Sequence, residues 1–468
     1  MAPMLQVAAL AMVAVVAGAN AGAVRRVDWN SLGLHPRQLA STFAKYSEPV
    51  VIDNGPLSAS GALSKWTPRY WVENAAPDRD VVVKNASRRV FSWGCCPQYR
   101  MSIPKLFERA SRADLYSGDD DDDRREYVYF TGSLEECGAP FKNDFMTSLF
   151  EVNEVSGGDR DDSQRMHMTN VWVGSRGATT PLHHDYLHNF FVQINGVKRF
   201  TMFSPADFHS LYLFPKYHFL HRNVQLDIDN ATVDDFPLSV SARDRRVVDL
   251  HPGQILYLPP LWFHQVEAAS ASISLNVWSQ SKAINRLNKV FSIGIPLERQ
   301  WDSATASLRI GHLLSLILRR VIGETHAIRF LLNNIESRYR RLHEGMDSAQ
   351  YYSSSAERIQ FDKIERQIDA ESPPFLPKGE PGDLRAACGP ESSPLPATVN
   401  ERLQFTSSEI ANAIFDAGAP ADVVPVFLSN YVEDVAAQLV GPDRVFDLLY
   451  HCVLPRLVGA GASDRTEL

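Results

Sequence analysis

The feature that most constrains the fold is a series of short strand-like runs between residues 168 and 280. Runs rich in β-branched and aromatic residues alternate with Gly, Pro and Asn, as in MTNVWVG, HNFFVQI and SISLNVW. Short strands with such regular turn residues are typical of β-sandwiches and barrels. After about residue 285 the apolar residues recur at three- and four-residue spacing, which indicates helices. We therefore expect a mainly β core with flanking helices and a helical C-terminal region.

The charge balance gives no reason to expect nucleic acid as a partner. The 468 residues carry a formal net charge of −8, whereas nucleic-acid-binding domains usually present a basic face. The densest basic run is RYRR at Arg338–Arg341, which we interpret as a solvated helix face. The run of five aspartates at Asp119–Asp123 lacks the spaced acids, Gly and distal Glu of an EF-hand, so we interpret it as an exposed loop.

The N-terminal sequence MAPMLQVAALAMVAVVAGANAGAVRR combines an apolar stretch with small residues. The stretch from Leu5 to Val16 is too short to span a bilayer comfortably, and A-x-A patterns follow it. We interpret residues 1–23 as a secretory signal peptide, with an uncleaved anchor or a buried helix as the alternatives. A protein of the endoplasmic reticulum lumen or the extracellular space, without a membrane span, is therefore expected. It is intracellular if residues 1–23 are not a signal peptide.

Two further features bear on a secretory location. The sequons that begin at Asn85 and Asn230 are candidate N-glycosylation sites, so we expect a glycoprotein. The five cysteines are too few for a disulfide scaffold and have no C-x-x-C spacing. In an oxidising compartment one or two disulfides are expected, with a pairing that the sequence leaves open.

The segment ATTPLHHDYLHNFFVQI places histidines and an aspartate in an otherwise apolar, strand-like run. In a strand, residues i and i+2 share a face, so His183 and Asp185 are expected to point the same way. Two imidazoles and one carboxylate suit a non-haem Fe(II) site with open coordination positions. The best third ligand is His264, in the later strand-like sequence PGQILYLPPLWFHQVE. The i, i+4 pair His184 and His188 is a weaker alternative for zinc, because a zinc protease would have Glu directly after the first His.

A single lysine, Lys198, follows in the apolar run NGVKRF. A lysine that points into a small barrel needs an anion as its partner, and a dicarboxylate cosubstrate would supply one. A surface lysine is the alternative interpretation.

Taken together, these segments resemble the JmjC/cupin-like family of Fe(II)- and 2-oxoglutarate-dependent oxygenases, most closely the asparaginyl hydroxylase that inhibits the hypoxia-inducible factor. The matching sequences are NVWVGSRGATTPLHHDYLHNFFVQINGVKRFTMFSP, YLFPKYHFLHRNVQLDIDN, PGQILYLPPLWFHQVE and ISLNVW, in order over more than 100 residues. The resemblance implies a double-stranded β-helix (jelly-roll) core with helices before and after it.

The resemblance also implies roles for individual residues. His183, Asp185 and His264 would bind Fe(II). Lys198, Thr180 and Tyr129 would hold the distal carboxylate of 2-oxoglutarate, with Asn189 and Asn276 lining the cosubstrate and iron side of the pocket. Arg222 and Asn223 match a substrate-contacting Arg-Gln pair, so the change from Gln to Asn predicts different substrate contacts.

The activity implied by the resemblance uses Fe(II), 2-oxoglutarate and O₂ to hydroxylate a C–H bond. We expect a dioxygenase that hydroxylates a protein side chain. A lysine demethylase and an RNA-base hydroxylase are the enzymatic alternatives. A cupin-fold scaffold that acts through its helical C-terminus is the non-enzyme alternative.

The predicted organisation follows the changes in pattern along the chain. After the signal peptide we expect an α+β part of the catalytic domain at 27–165, the cupin core at 166–282, a helical extension at 285–345, a linker or disordered loop at 371–400 and a helical segment at 401–460. The apolar sequence HLLSLILRRV in the extension suggests a homodimer through the C-terminal helices. A helix that covers the barrel is the alternative.

Overall fold

The computed structural model describes two compact units of the chain. The barrel unit lies within Asn20–Pro205 and Ala242–Ile284, and the helical unit lies within Ala206–Ser241 and Asn285–Leu468. A segment inside the predicted core, 206–241, thus groups with the C-terminal helices. The residues described are 22–57, 60–75, 80–86, 98–112, 127–154, 167–242, 244–344, 384–388 and 395–460.

The barrel unit contains all the named strands of the described residues. They are β1 (Arg25–Asp28), β2 (Val50–Asp53), β3 (Asp80–Ala86), β4 (Gln98–Ser102), β5 (Tyr127–Ser133), β6 (His167–Gly174), β7 (Thr179–His183), β8 (Leu187–Asn195), β9 (Lys198–Phe203), β10 (Arg246–Leu250), β11 (Ile255–Leu258), β12 (Phe263–Ala268) and β13 (Ser272–Gln280). Short helices connect the early strands: α1 (Leu39–Phe43), α2 (Ala62–Lys65), α3 (Pro68–Asn74), α4 (Ile103–Arg112), α5 (Leu134–Cys137) and α6 (Ala139–Asp144).

These strands form two sheets. The larger has the order β1-β2-β11-β8-β13-β6-β5-β3-β4, and the smaller has the order β10-β9-β12-β7. The β1–β2 pair is parallel, and the other pairs are antiparallel. Neighbours in the sheets are distant in sequence, as expected for a jelly roll. The mainly β core with flanking helices and a helical C-terminal region is thereby confirmed.

Side chains from both sheets meet in one apolar cluster inside the barrel. Phe191 and Leu256 of the larger sheet pack in this cluster with Phe200, Met202 and Leu250 of the smaller sheet. Alternate residues of β8 and β9 therefore point inward, so a polar side chain on that face is placed in an apolar interior. Lys198, Asn189 and Gln193 are buried polar residues on this face of the two strands.

The helical unit is built from four helices of 18 residues or more and several shorter ones among the described residues. They are α7 (Lys282–Val290), α8 (Ser303–Ile322), α9 (Glu324–Glu344), α10 (Leu384–Ala387), α11 (Ala397–Asp416), α12 (Val423–Val440), α13 (Val445–Leu448) and α14 (Leu454–Ala460), with a π-helical turn at Leu449–Val453 before α14. α7 begins at the end of the barrel unit. α10 and the start of α11 lie inside the 371–400 range that we predicted as linker, so that prediction is wrong for these residues.

Helix α8 carries the apolar sequence HLLSLILRRV and lies at the centre of the helical unit. It packs against α9, α11 and α12, and Ile310, Leu313, Leu314 and Ile317 are fully buried. The hydrophobic side chains that suggested a dimer helix are thus covered by the chain's own helices. A homodimer through the C-terminal helices stays a prediction.

The basic run at the end of α9 is not a uniformly solvated face. The side chain of Arg338 is fully buried, and its Nη1 donates to Glu433 Oε2 of α12 at 2.8 Å and to Asn430 Oδ1 at 3.1 Å. Tyr339 beside it is also buried. The predicted solvated face is therefore wrong for these two residues, because the helix turns its arginine toward a buried acid that the local sequence does not reveal.

One disulfide occurs among the described residues. It joins Cys388, which follows α10, to Cys452 in the π-helical turn, 64 residues away in sequence. It ties the segment around α10 to the C-terminal helices.

Several predictions lie wholly or partly outside the described residues. The signal peptide falls mainly on 1–21 and the aspartate run Asp119–Asp123 falls in 113–126, neither of which is described. Asn230 is exposed, as a glycosylation acceptor requires. Among the described residues, no helix combines the length and apolarity needed to cross a membrane.

Candidate metal centre

The predicted ligands His183, Asp185 and His264 come together in the smaller sheet. One ligand atom from each lies within 4.8 Å of the others. His183 is the last residue of β7 and is directly paired with His264 of β12, and their ring centroids are 4.3 Å apart. Asp185 Oδ2 is 3.8 Å from His264 Nε2. This is the only such group of His, Cys, Asp or Glu within the described ranges.

Asp185 reaches the site in a different way from the prediction. β7 ends at His183, so Asp185 lies in the short connection to β8 and not in a strand. Its backbone carbonyl accepts a hydrogen bond from the Leu261 N–H at 2.7 Å, which ties this connection to the turn before β12. The strand rule thus named two residues that the structure brings together, but the backbone that aims the carboxylate is the short connection after β7.

The two histidines have a defined tautomer. His183 Nδ1 is 2.8 Å from the Pro181 carbonyl, and His264 Nδ1 is 2.9 Å from the Trp262 carbonyl. Since a carbonyl oxygen only accepts, each Nδ1 carries a proton that it donates, and each Nε2 keeps its lone pair. Backbone carbonyls commonly orient metal-binding histidines in this way. The donor set of two Nε2 atoms and one carboxylate therefore fits a divalent iron ion.

Lys198 lies at the start of β9 with its side chain inside the barrel. Its side chain is only 2% exposed, and none of the described carboxylates forms an ion pair with it. The ammonium instead lies over the rings of Tyr129 and Phe191, 5.4 and 5.5 Å from their centroids. Burial lowers the pKa of Lys198 to about 7, because desolvation disfavours the charged form.

The turn before Lys198 depends on a glycine. Gly196 has a φ of 70°, and a Cβ at this position would lie 2.1 Å from the backbone oxygen of Ala271. Only glycine fits this close approach, which reverses the chain and brings Lys198 onto the inward face.

Two hydroxyl groups complete the polar end near Lys198. Tyr129 Oη and Thr180 Oγ1 are 3.2 Å apart and share a hydrogen bond. Burial raises the pKa of Tyr129 to about 12, so its hydroxyl stays protonated and can donate to an anion. The Lys198 ammonium and the hydroxyls of Tyr129 and Thr180 thus lie close together, and their contact with 2-oxoglutarate stays a prediction.

Asn189 and Asn276 form a chain of hydrogen bonds that starts at a tryptophan. Trp172 Nε1 donates to Asn276 Oδ1 at 2.7 Å, and Asn276 Nδ2 donates to Asn189 Oδ1 at 3.1 Å. This order fixes both amide orientations, so Asn189 presents its amide nitrogen as a donor.

Sequence reasoning missed the two tryptophans of this region. The Trp172 ring lies 5.8 Å from the Tyr129 ring and 6.2 Å from the Trp278 ring, measured between centroids. The alternation of side chains along a strand could have pointed to Trp278, because it follows Asn276 at i+2 and must share its face.

The remaining predicted residues lie elsewhere. Arg222 and Asn223 belong to the helical unit, and their contact with substrate stays a prediction. The zinc alternative is not supported by the secondary structure, since no helix contains His184 and His188. His188 lies in β8, where its Nδ1 is 2.8 Å from Tyr257 Oη and its Nε2 is 3.4 Å from Glu154 Oε1.

Comparison with known proteins agrees with this site. Residues 36–283, more than half of the chain, match the family model of the cupin-like domain. JmjC domain-containing protein D of Dictyostelium discoideum is 32% identical over 162 residues, or 34% of this chain and 36% of that protein. Lysine-specific demethylase 8 of Xenopus tropicalis is 35% identical over 109 residues, or 23% of this chain and 24% of that protein. tRNA wybutosine-synthesizing protein 5 of Mus musculus is 34% identical over 106 residues, or 23% and 32%.

The aligned parts are short. The chain spans between 24% and 36% of the length of these three relatives. The match to the family model is the broader finding, and it covers the barrel unit from α1 to β13, without β1. By this match, the chain belongs to the cupin-like, JmjC-like domain family.

Proposed function

We propose that this chain is an Fe(II)- and 2-oxoglutarate-dependent dioxygenase that hydroxylates a protein side chain. One observation carries the proposal: the barrel holds a His-Asp-His group together with a buried lysine that has no ion-pair partner among the described residues. A buried cation without a counter-charge costs free energy unless a ligand supplies the anion. A scaffold protein would have no use for both features.

Three side chains of the barrel would bind the iron. Nε2 of His183 and of His264 and the carboxylate of Asp185 would hold the iron. Bound Fe(II) supplies the redox chemistry that converts 2-oxoglutarate, O₂ and a substrate C–H bond to succinate, CO₂ and an alcohol.

The chain's own polar groups would bind and orient the cosubstrate. Lys198 pairs with its distal carboxylate, and the hydroxyls of Tyr129 and Thr180 donate to the same group. The amide nitrogen of Asn189, oriented through Asn276, provides a further donor. The apolar side chains of both sheets exclude water from this end of the barrel, which strengthens each of these contacts.

We favour a protein over a nucleic acid as the substrate. The net charge of −8 argues against binding a polyanion. Named relatives include a lysine-specific demethylase and a tRNA wybutosine-synthesizing protein, so demethylation and RNA-base hydroxylation remain the alternatives to be tested.

We also propose that the chain works in the secretory pathway. The disulfide between Cys388 and Cys452 supports this, because disulfides persist in oxidising compartments. The leader-like residues 1–23 and the exposed sequon at Asn230 point the same way. In a eukaryotic host, the secreted or lumenal protein should shift in mass after glycosidase treatment, and Asn230→Gln should reduce that shift. An unglycosylated chain with an intact N-terminus would contradict this proposal.

The first experiment measures turnover of 2-oxoglutarate to succinate by the full chain with Fe(II) and ascorbate. His183→Ala should abolish turnover and also lower the bound iron measured by mass spectrometry. His251→Ala is the matched control, because this histidine is exposed on the same unit. Absence of both turnover and iron binding in the wild-type chain would overturn the oxygenase proposal and favour the scaffold.

A second experiment identifies the product. Peptides from secreted proteins are incubated with enzyme, iron and 2-oxoglutarate, and modified peptides are detected by mass spectrometry. A hydroxylase leaves a stable gain of one oxygen atom on the peptide. A demethylase instead removes a methyl group and releases formaldehyde, so the two activities are distinguishable.

A further inference from the structure

The connection that carries Asp185 is short and is attached to the barrel at both of its ends. It consists of residues 184–186, because β7 ends at His183 and β8 begins at Leu187. The Asp185 carbonyl accepts a hydrogen bond from the Leu261 N–H at 2.7 Å, in the turn between β11 and β12. The direction of the Asp185 carboxylate therefore depends on how firmly β7, β8 and this turn are held.

His188, the second residue of β8, is a buried polar side chain next to this connection. Side chains alternate along a strand, so His188 points to the outer face of the larger sheet, whereas Asn189 points into the barrel. His188 is 3% exposed, and its ring stacks on the ring of Tyr257, which belongs to the apolar cluster on that face. A buried imidazole in such surroundings needs polar partners, because burial without them costs free energy.

His188 faces a polar group with each of its ring nitrogens. Nδ1 is 2.8 Å from Tyr257 Oη, and Nε2 is 3.4 Å from Glu154 Oε1, a little longer than an ordinary hydrogen bond. Burial raises the pKa of Tyr257, so its hydroxyl keeps the proton and can donate it to Nδ1. An ionised carboxylate only accepts, so the remaining ring proton is on Nε2 and points to Glu154. We call these three residues the Glu-His-Tyr network.

Glu154 is held in place by neighbours of its own. Its Oε2 accepts a hydrogen bond from the Lys282 backbone N–H at 2.6 Å, and the Val152 N–H donates to Ser279 Oγ at 3.0 Å. Ser279 is the residue of β13 that pairs with His188. Burial acts to raise the pKa of Glu154, but the His188 ring and the Lys282 N–H outweigh it and hold the pKa below its usual value. The network thus ends in a fixed, ionised carboxylate.

Tyr257 connects the network to the turn that contacts Asp185. It lies in β11, and Leu261 follows it in the turn before β12. Leu261 has a φ of 66°, in the left-handed region that is unfavourable for a residue with a Cβ, so the surrounding contacts must impose it. The segments 185–188 and 257–261 are therefore joined twice. His188 and Tyr257 join them on the outer face of the sheet, and the Leu261 N–H joins them at the Asp185 carbonyl.

We propose that His188 is a positioning residue, which fixes the start of β8 and thereby the direction of the Asp185 carboxylate toward the two histidines. It acts from the outer face of the sheet, and the whole network lies within the barrel unit. Loss of one partner would leave a buried polar group without its hydrogen bond and allow the connection to shift. This inference rests on the metal-binding role of Asp185 in the proposed function.

The test measures Mn(II) binding to the full chain by isothermal titration. His188→Leu should weaken binding by about tenfold, as for other outer partners of metal ligands, and Tyr257→Phe should cause a smaller loss in the same direction. His188→Gln should restore most of the affinity, because its amide can accept from Tyr257 and donate to Glu154. Val83→Ala is the matched control, since it removes buried volume from the same apolar cluster at the distant strand β3. It should lower the melting temperature without changing the affinity.

Two further readouts distinguish positioning from a purely structural role. The visible absorption of the Co(II)-loaded chain depends on coordination geometry and should shift in His188→Leu and Tyr257→Phe. Amide exchange of the metal-free chain should become faster at Leu261 in both variants and stay at the wild-type level in β3 and β4. A purely structural His188 would lower the melting temperature and leave the affinity and the spectrum of the folded chain unchanged.

The outcomes separate the positioning role from the metal centre. Wild-type affinity and spectrum in folded His188→Leu and Tyr257→Phe would overturn the positioning role, and so would an equal loss of affinity in Val83→Ala. If His188→Leu does not fold, Tyr257→Phe decides, because it removes a single hydroxyl. A wild-type chain that binds no Mn(II), or a His183→Ala variant that binds it equally well, would overturn the metal centre and the positioning role with it.

Discussion

Binding of a dicarboxylate to the barrel should be coupled to proton uptake at Lys198. This lysine is 2% exposed and its pKa is lowered to about 7 by burial. Without ligand, a large share of the molecules at pH 7–8 therefore carries a neutral amine. A carboxylate that binds beside it favours the ammonium, so the proton must come from solvent.

The size of the effect follows from this pKa. Each pH unit above the pKa costs about 1.4 kcal/mol for protonating the lysine before it pairs with the ligand, which is about tenfold in affinity. Affinity for 2-oxoglutarate should thus fall about tenfold between pH 8 and pH 9 and change little below pH 6.5. The stability of the unliganded protein changes with pH in the opposite direction to the affinity. The unfolded lysine binds its proton more tightly, so this group makes folding more favourable as pH rises above 7.

The measurement is isothermal titration of 2-oxoglutarate into the full chain with Mn(II), without oxygen. Repeating it in buffers with different ionisation enthalpies gives the number of protons taken up. Lys198→Arg keeps its charge over this range, so it should bind without proton uptake and with a flatter pH dependence. Lys198→Met should lose most of the affinity. Wild-type affinity that is constant from pH 7 to 9, with no proton uptake, would refute the reasoning.

Three further predictions concern stability. Burial acts to raise the pKa of Asp144, but hydrogen bonds from Lys65, Tyr70 and Trp66 outweigh it and hold the pKa below its usual value. Its contribution to stability is therefore present above about pH 4 and lost as pH falls further. Asp144→Asn should lower the free energy of unfolding by about 2 kcal/mol at pH 7 and weaken the fall of the melting temperature with pH below about pH 4. Arg338→Met should cost about 3–5 kcal/mol in denaturant titration because it leaves Glu433 buried without its cation, and Glu433→Gln in addition should recover part of the loss. Replacing the disulfide-bonded Cys388 and Cys452 by Ser should cost about 2–4 kcal/mol, and a reductant should lower the melting temperature of the wild type alone.

The sequence by itself determined the architecture of the barrel unit and the identity of its candidate metal ligands. Short punctuated strands predict a β-sandwich or barrel because period-two patterns and turn residues are local properties. The pair His183 and Asp185 was accessible for the same reason, although Asp185 lies in a turn and not in the strand. The third ligand, His264, was the best candidate in a later strand-like run, and the resemblance supported it, since nothing local pairs β12 with β7.

The tertiary structure decided which distant segments cover each other. An apolar helix face in the sequence does not say what buries it, so α8 suggested a dimer although α9, α11 and α12 pack around it. A local run of basic residues likewise does not reveal that Arg338 is neutralised by Glu433, 95 residues away.

The same limit applies to the contact between Lys216 and Asp434 and to the disulfide. Lys216 and Asp434 are 218 residues apart, and Cys388 and Cys452 are 64 apart. Pairings of this kind depend on the folded path of the whole chain, because a charge or a thiol has no periodicity that points to its partner. The sequence thus determines which residues can do the chemistry, and the tertiary structure determines which distant residues are paired.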